Sequence, residues 1–518
     1  MLDGIALGFQ HLMNPMVLLA LLGGVMLGLV VGSLPGLNDS ITIAVLIPVT
    51  FGMDAYVALA LLCGIYVSSA CGGSYPAILM NIPGTASAMV TTLDGYPMKQ
   101  QGKGGLALGI ANTSSFFGGL FSALCLLLFA PILAQVAVKF GPPEYFMLGV
   151  LGLATVIGMS TKNVTKALLS MAIGLWLSTI GMSPQTGIAR YTFGQVSLLD
   201  GIPLIPRMIG LFGITSVLKM VDEKRKVAAT VSKSEATVPG EVLQEKVSET
   251  ETKLQQEDVV KLPDKEMALR LLPTWISSSF IGTILGIIPG AGMTMAIYVA
   301  YDQVQKVKKK LKFGTGVPEG VAAPEAANNA VVAGSMVPLL SLGIPGNGTS
   351  ALFLGALTIQ GMRTGPTLFT ENGGMAYMMI LAFVIGNLIM FPLGYQYCKH
   401  VMMKVLKIRS EILAAGIIVL CLTGSFAYKN NPFHVLAAVF FGLVGYLFWK
   451  YKIPQAPLIL STIVGSMMES NWLSSMVYAD GSVSVFFTRP ISLGLVIVSV
   501  LFLIWPIIQK IRQRKQET

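Results

Sequence analysis

The chain has 518 residues, 53% of them apolar and only 12% charged, where soluble domains carry roughly 25%. So few charges cannot wet the surface of soluble domains of this size, and charge-free stretches such as Ala55–Leu93, Gly104–Val138, Leu271–Tyr301 and Ala326–Met362 exceed the ~20 apolar residues that cross ~30 Å of hydrocarbon. The composition describes a polytopic integral membrane protein, whose 35 basic and 25 acidic residues fall between apolar runs as orientation signals rather than gathering into a nucleic-acid footprint.

In chain order, apolar runs predict spans near 14–31, 41–51, 55–70, 106–130, 143–160, 164–182 and 203–219. The start, Met1-Leu2-Asp3, lacks the basic segment of a signal peptide, so the first run is expected to remain as a span. A polar stretch, 222–266, then brings 8 basic and 11 acidic residues together, the composition of a solvated linker. Spans resume near 271–287, 291–305, 320–342, 374–398, 411–428, 432–449, 454–470 and 490–508. The chain thus divides into a first membrane repeat (1–221), a charged cytoplasmic linker (222–266) and a second membrane repeat with additional C-terminal spans (267–518). Cys63, Cys71, Cys125, Cys398 and Cys421 lie mostly in apolar runs without paired spacing, which implies neither disulfides nor a zinc site.

The two membrane parts share a pattern. Gly32-Ser-Leu-Pro35-Gly36 is echoed 254 residues later by Gly286-Ile-Ile-Pro289-Gly290. Gly72, Pro76 and Ile82-Pro83-Gly84 are echoed at an offset of 262 by Gly334, Pro338 and Ile344-Pro345-Gly346. The difference between the offsets fits the extra loop Lys306–Gly316, and the shared order points to duplication. Met1 to Met98 contain no Lys or Arg, whereas Lys306–Lys312 make a basic cluster. That cluster corresponds, at the repeat offset, to the uncharged-by-base segment Phe51–Ala55. Placing the basic clusters in the cytoplasm therefore sets the copies in opposite orientations, with the N-terminus periplasmic and the C-terminus cytoplasmic. The expected fold is an all-α polytopic membrane protein with two inverted-topology repeats and broken or re-entrant helices, as in secondary transporters. Arg190, Arg207 and Arg489 fall on the outer side of this arrangement.

Proline removes a backbone donor and glycine opens left-handed dihedrals, so Pro-Gly inside an apolar run breaks a helix. Broken backbone in a membrane must be buried in protein or face a watery cavity. Freed helix N-termini suit an anion's carboxylates; unwound carbonyls suit a cation. The alternative is that these residues merely kink packed spans. The candidate substrate- or ion-binding residues of the first part are Pro35, Gly36, Asn38, Asp39, Ser40, Ser74, Asn81, Pro83, Gly84 and Thr85. Those of the second are Pro289, Gly290, Thr294, Glu325, Asn328, Asn329, Pro345, Gly346, Asn347 and Thr349. Asp39 and Glu325 stand out, because an ionisable group beside a long apolar run is expensive and is a functional hypothesis by default; otherwise they cap helices at the interface. Asp94 and Asp302 read as boundary residues.

Enzymatic signals are poor. There is no HExxH, no phosphate-binding Gly-x-x-x-x-Gly-Lys-Ser/Thr and no credible triad, and His11, His400 and His434 are scattered.

Nine strings carry a resemblance: Gly32-Ser-Leu-Pro-Gly36, Cys71-Gly-Gly-Ser74, Asn81-Ile-Pro-Gly-Thr85, Leu93-Asp-Gly-Tyr-Pro97, Phe140-Gly-Pro-Pro-Glu144, Asp200-Gly-Ile-Pro203, Glu319-Gly-Val-Ala-Ala-Pro-Glu-Ala-Ala-Asn-Asn329, Gly343-Ile-Pro-Gly346 and Phe486-Phe-Thr-Arg-Pro490. Together they resemble the large membrane subunit of tripartite tricarboxylate transporters, from about residue 17 to 508 without the linker. The chain departs from that pattern after the first Pro-Gly, where Leu37-Asn38-Asp39 replace Gly- or Ser-rich sequence. The resemblance implies a multi-pass permease of the bacterial inner membrane with two partners, a small integral membrane subunit and a periplasmic solute-binding protein. It further implies import of a di- or tricarboxylate, or an aromatic carboxylate, driven by a sodium or proton gradient, with no cofactor beyond that coupling cation. A passive channel and an intramembrane enzyme acting on a lipid-borne substrate are the alternatives.

Overall fold

In the computed structural model the described residues are 2–517, apart from 35–36, 38, 160–163, 184, 223–224, 226–259, 291, 407 and 409. Most of the charged linker 222–266, and the candidate residues Pro35, Gly36 and Asn38, therefore lie outside the described residues.

The first part runs α1 (Leu2–Leu12), α2 (Pro15–Gly32), α3 (Asp39–Leu46, extended by a 3-10 turn to Thr50), α4 (Ala55–Gly72), α5 (Ser74–Met80), α6 (Thr92–Gln100), α7 (Gly104–Ala137), α8 (Pro142–Met159) and α9 (Val164–Ser178). A two-residue antiparallel ribbon, β1 (Gly181–Met182) with β2 (Ala189–Arg190), precedes α10 (Leu204–Asp222), which contains a π-helical turn at Ile209–Ile214. The second part runs α11 (Lys265–Ile287), α12 (Gly292–Val307), α13 (Pro318–Gly334), α14 (Met336–Leu342), α15 (Gly348–Ile359), α16 (Pro366–Glu371), α17 (Gly373–His400), α18 (Met402–Val405), α19 (Ser410–Ala427), α20 (Pro432–Lys450), α21 (Gln455–Tyr478), α22 (Val485–Thr488) and α23 (Pro490–Glu517). Apart from the ribbon, the regular structure of the described residues is helical. Among the described residues, seven helical segments, α2, α4–α5, α7, α10, α11, α17 and α20, are long and apolar enough to cross a membrane.

Local chemistry starts and stops these helices. Asn14, Asp54, Asp264 and Asn431 accept from backbone N–H groups of the turns that follow them, satisfying donors that a helix leaves orphaned. At the other end, Asn81 (φ 58°) closes α5 and Gly343 (φ 75°) closes α14 in left-handed conformation.

The packing reverses the polarity of a soluble core. On α7 the small and polar residues Asn112, Ser114, Ser115, Gly118 and Ser122 are buried, while Leu124, Leu128, Phe129 and Ile132 are exposed. Hydrocarbon outside offers no hydrophobic drive between helices, so close packing of small residues holds them together. Every residue of α13 from Glu319 to Gly334 is buried, among α7, α11 and α12. That burial explains how a helix carrying two glutamates and two asparagines sits at the centre of a membrane protein.

Two helix crossings use the same device. On α2, a Cβ at Gly28 would lie 2.6 Å from the Ile65 carbonyl oxygen, and one at Gly32 would lie 2.3 Å from that of Ser69. On α11, a Cβ at Gly282 would lie 2.3 Å from the Ala327 oxygen and one at Gly286 2.9 Å from that of Val331. The Pro-Gly loops fold back onto these crossings. A Cβ at Gly84 would meet the Gly32 oxygen at 2.4 Å, and one at Gly346 would meet the Gly286 oxygen at 2.6 Å.

Several strings noted in the sequence meet in space as structural locks. Asp94 is buried and is no boundary residue: it accepts from the N–H groups of Gly314, Gly316 and Val317 at 2.9 Å each, and from the Tyr301 hydroxyl at 2.8 Å. It thereby holds the loop that launches α13. Glu144, 1% exposed, pairs with Arg489 at 2.5 Å and accepts from Gly141 N–H at 2.8 Å, joining the Phe140–Glu144 and Phe486–Pro490 strings. Arg190 pairs with Glu469 at 2.5 Å. Asp302 does stand at the surface, paired with Lys306 at 2.5 Å.

The crossings give a direct expectation. Gly28→Ala and Gly282→Ala should each lower stability by about 1–3 kcal/mol through overpacking, read as an earlier thermal midpoint in detergent. Gly23→Ala, with nothing within 4 Å of the added carbon, should leave the midpoint unchanged.

Candidate functional site

Four chain segments converge on one cavity of about 180 Å³. Asp39 and Ser40 come from the first turn of α3; Thr85, Ala86 and Ser87 follow the first Ile-Pro-Gly; Gly292, Met293 and Thr294 open α12; Asn347, Gly348 and Thr349 open α15. Three helices, α3, α12 and α15, thus begin at one space, each bringing the positive end of its dipole to it. Such ends bind carboxylates and other anions.

The side chains tie the segments together. Ser40 and Thr349 share a hydrogen bond of 2.8 Å between their hydroxyls, and Thr85 and Ser87 one of 2.9 Å. Asn347 accepts from Ser350 N–H at 2.8 Å while the Ser350 hydroxyl accepts from Asn347 N–H at 2.9 Å, a reciprocal cap at the head of α15. The Asn347 amide also donates to the Tyr66 hydroxyl at 3.0 Å, and Tyr66 bonds Ser335 at 3.0 Å. Among the described residues, Asp39 is the one charged lining residue, and no Lys, Arg or His lines the space. Its carboxyl is buried at 5% exposure, with Oδ1 lacking any hydrogen-bond partner.

The lining has an internal order. Under the offsets of 254 and 262, Asp39 matches Met293, Ser40 matches Thr294, Thr85 matches Asn347, Ala86 matches Gly348 and Ser87 matches Thr349. The remaining lining residue, Gly292, matches Asn38, which lies outside the described residues.

Of the residues singled out in the sequence, Asp39, Ser40, Thr85, Thr294, Asn347 and Thr349 line the cavity. Pro83-Gly84 and Pro345-Gly346 lie directly behind the lining. Gly290 N–H donates to the Gly346 carbonyl at 2.7 Å, and the Pro289 carbonyl accepts from the Thr155 hydroxyl. Ser74 bonds the Cys71 carbonyl at 2.7 Å at the α4–α5 kink. Asn81 is exposed at the end of α5.

Glu325, Asn328 and Asn329 form a separate group inside α13. Glu325 is fully buried and accepts from the hydroxyls of Thr91 and, at 3.2 Å, Ser115. Asn328 donates to the Ala70 carbonyl at 3.2 Å and Asn329 to the Glu325 carbonyl at 3.3 Å, leaving both side-chain oxygens without partners. Ser87 is one of the small hydroxyls that the sequence gathers at the first Ile-Pro-Gly; residues of the cavity missed by sequence reasoning are Ala86, Gly292, Met293 and Gly348, with Tyr66 behind them. The repeat offset from Thr349 points to Ser87; nothing in the sequence marks Tyr66.

A larger cleft of about 540 Å³ lies beside His11, Asn14, Asp54 and Tyr56. Its two helix N-termini, those of α2 and α4, are already capped by the side chains of Asn14 and Asp54. Among the described residues no group of three His, Cys, Asp or Glu side chains is placed to hold a metal ion.

Comparison with known proteins places these features. The family described as "Tripartite tricarboxylate transporter TctA family" matches residues 18–460. An Agrobacterium vitis protein named "Uncharacterized 52.8 kDa protein in TAR-I ttuC' 3'region" is 34% identical over 519 residues, covering 100% of this chain and 98% of its own length. A second from the same organism, "Uncharacterized protein in TAR-II ttuC' 3'region", is 32% identical over 237 residues, covering 46% of this chain and 98% of its own length. No solved structure matches.

The geometry of the cavity is open to a direct check. In a cysteine-free background, Ser40→Cys with Thr349→Cys should crosslink rapidly under mild oxidant, because side chains whose oxygens sit 2.8 Å apart are within disulfide reach. Cleavage in the linker followed by non-reducing electrophoresis reads the bond; two separated fragments would contradict the placement of α3 against α15.

Proposed function

Because the chain belongs to the tripartite tricarboxylate transporter TctA family, a family of membrane transporters and not enzymes, we propose that it imports an organic di-, tri- or aromatic carboxylate through the cavity described above. The observation that carries this reading is the paired lining, in which residues 254 or 262 positions apart line a single space. The matching glycine crossings, Gly28 and Gly32 against α4, Gly282 and Gly286 against α13, support the same duplication. With the Lys- and Arg-free first 98 residues, they favour two repeats of opposite orientation, 1–221 and 267–518. That orientation puts the N-terminus outside and the C-terminus in the cytoplasm of a bacterial inner membrane.

The substrate's carboxylates then rest against the N-termini of α12 and α15 and accept from the hydroxyls of Thr85, Ser87, Thr294 and Thr349. An anion beside the Asp39 carboxylate is repelled unless a cation stands between them. Asp39, with its unpartnered Oδ1, is therefore the place for a coupling sodium ion or proton. Broken backbone at the Pro-Gly loops allows either half of the site to open to water while the other stays closed. A periplasmic solute-binding protein delivers the substrate, and a small integral membrane subunit completes the system. Glu325, buried with only hydroxyl partners, is a second place for a proton, one helix away.

The test is uptake of labelled citrate into proteoliposomes holding all three components, under an imposed sodium or proton gradient. We expect uphill, saturable accumulation, a loss of about tenfold or more in Asp39→Asn and Asn347→Ala at unchanged membrane insertion, matching charge-assisted hydrogen bonds of roughly 1.5–3 kcal/mol. Transport that survives the loss of every ion gradient would refute the coupling, and wild-type rates in both variants would refute the site.

A further inference from the structure

The three arginines expected on the outer side have different fates. Arg190 and Arg489 each find a glutamate. Arg207 is 5% exposed, its Nε has no hydrogen-bond partner, and it enters no ion pair among the described residues. A guanidinium is always charged and keeps five donors in a planar fork. Buried without a counter-ion in a membrane protein, it is expensive and is by default a functional group.

Its place in the fold says what would satisfy it. Helices α10 and α15 lie side by side, with contact at two levels. The Cβ position of Gly348, at the cavity, is 3.3 Å from the Phe212 ring, and that of Gly355 is 3.6 Å from Leu204 and 3.8 Å from Ile205. Arg207 lies between those levels. Leu204, three residues before Arg207, shares its side of α10, whereas Ile205, two before it, lies on the opposite side, so Arg207 stands at the flank of the α10–α15 contact. The five residues from Arg207 to Phe212 amount to about 7 Å of helix rise, which sets the Arg207 backbone roughly one turn from the level at which Phe212 meets Gly348 of the cavity. Neither α10 between Leu204 and Val221 nor α15 carries an acidic residue.

We propose that Arg207 is a second anion subsite, one helical turn from the cavity, where its guanidinium fork takes a carboxylate of the transported substrate. The inference rests on the carboxylate-transport reading. It adds a cationic anchor to a cavity that has none. Arg207 belongs to neither repeat motif, so the anchor serves one side of the otherwise paired site.

The test uses the full three-component system in proteoliposomes with labelled citrate, succinate and benzoate, comparing the wild type with Arg207→Gln and Arg207→Lys. For whichever anion the wild type transports, Arg207→Gln should raise the half-saturation concentration about tenfold, and Arg207→Lys, which keeps the charge but loses the fork, by less. Without substrate, Arg207→Gln should denature at the same temperature as the wild type or higher, because it removes an uncompensated buried charge. The stabilisation that the anion gives the wild type should be lost in Arg207→Gln. An unchanged half-saturation concentration overturns the proposal. So does a lower substrate-free midpoint, which marks a structural arginine, or loss of the small membrane subunit on co-purification, which assigns the fork to a partner's carboxylate. No uptake of any of the three anions by the assembled wild type refutes the transport reading itself, and this inference with it.

Discussion

Everything at the centre of this protein depends on how broken backbone is kept out of lipid. Each Pro-Gly loop forfeits helical hydrogen bonds in a region where water is not at hand to replace them. The chain solves this by laying the loop against a helix end. Gly84 approaches the Gly32 carbonyl and its N–H reaches Gly73, while Gly346 approaches the Gly286 carbonyl and accepts from Gly290. A single methyl group at either glycine would part these segments. The close crossings of α2 with α4 and of α11 with α13 are the condition for that arrangement. They rest on glycines spaced four apart along one face of each helix.

From that constraint the electrostatics follow. Once the loops are tucked in, the helices that begin after them point their N-termini at a common space. The space is lined by hydroxyls and an amide, with one carboxylate and no fixed cation. Neutral donors with helix dipoles hold an anion without binding it so tightly that it cannot leave, which a carrier needs. In the proposed transport reading, Asp39 makes anion binding conditional on a cation. Arg207, a turn away and uncompensated, supplies positive charge outside the paired lining.

Much of this was legible in the sequence, and the failures have physical reasons. The apolar runs locate α2, α4, α7, α11 and α17, since length and hydropathy suffice for a span. The Pro-Gly offsets locate the cavity, because a helix break in lipid leaves few options. Asn81 reads as a ligand from its place beside Ile-Pro-Gly, yet its match at the repeat offset is Gly343, and both positions close a helix in left-handed conformation. An asparagine tolerates that backbone as a glycine does. Glu325 stands out correctly as a costly buried acid, but its helix carries it to Thr91 and Ser115, away from the cavity, which only three-dimensional packing decides. Asp94 and Arg207 were opaque for one shared reason. A charge beside a polar loop looks solvated in sequence, whereas here one is buried under backbone donors and the other under neighbouring helices.

The central claim is that residues 262 positions apart, Thr85 and Asn347, form one substrate site. Cysteine labelling tests it most directly. With Thr85→Cys and Asn347→Cys made singly in a cysteine-free chain, the rate of reaction with a water-soluble maleimide is followed in proteoliposomes with and without the transported carboxylate and its coupling cation. Substrate should slow labelling at both positions over the same concentration range. Protection at neither position, or at one with the other unmoved, would contradict the claim.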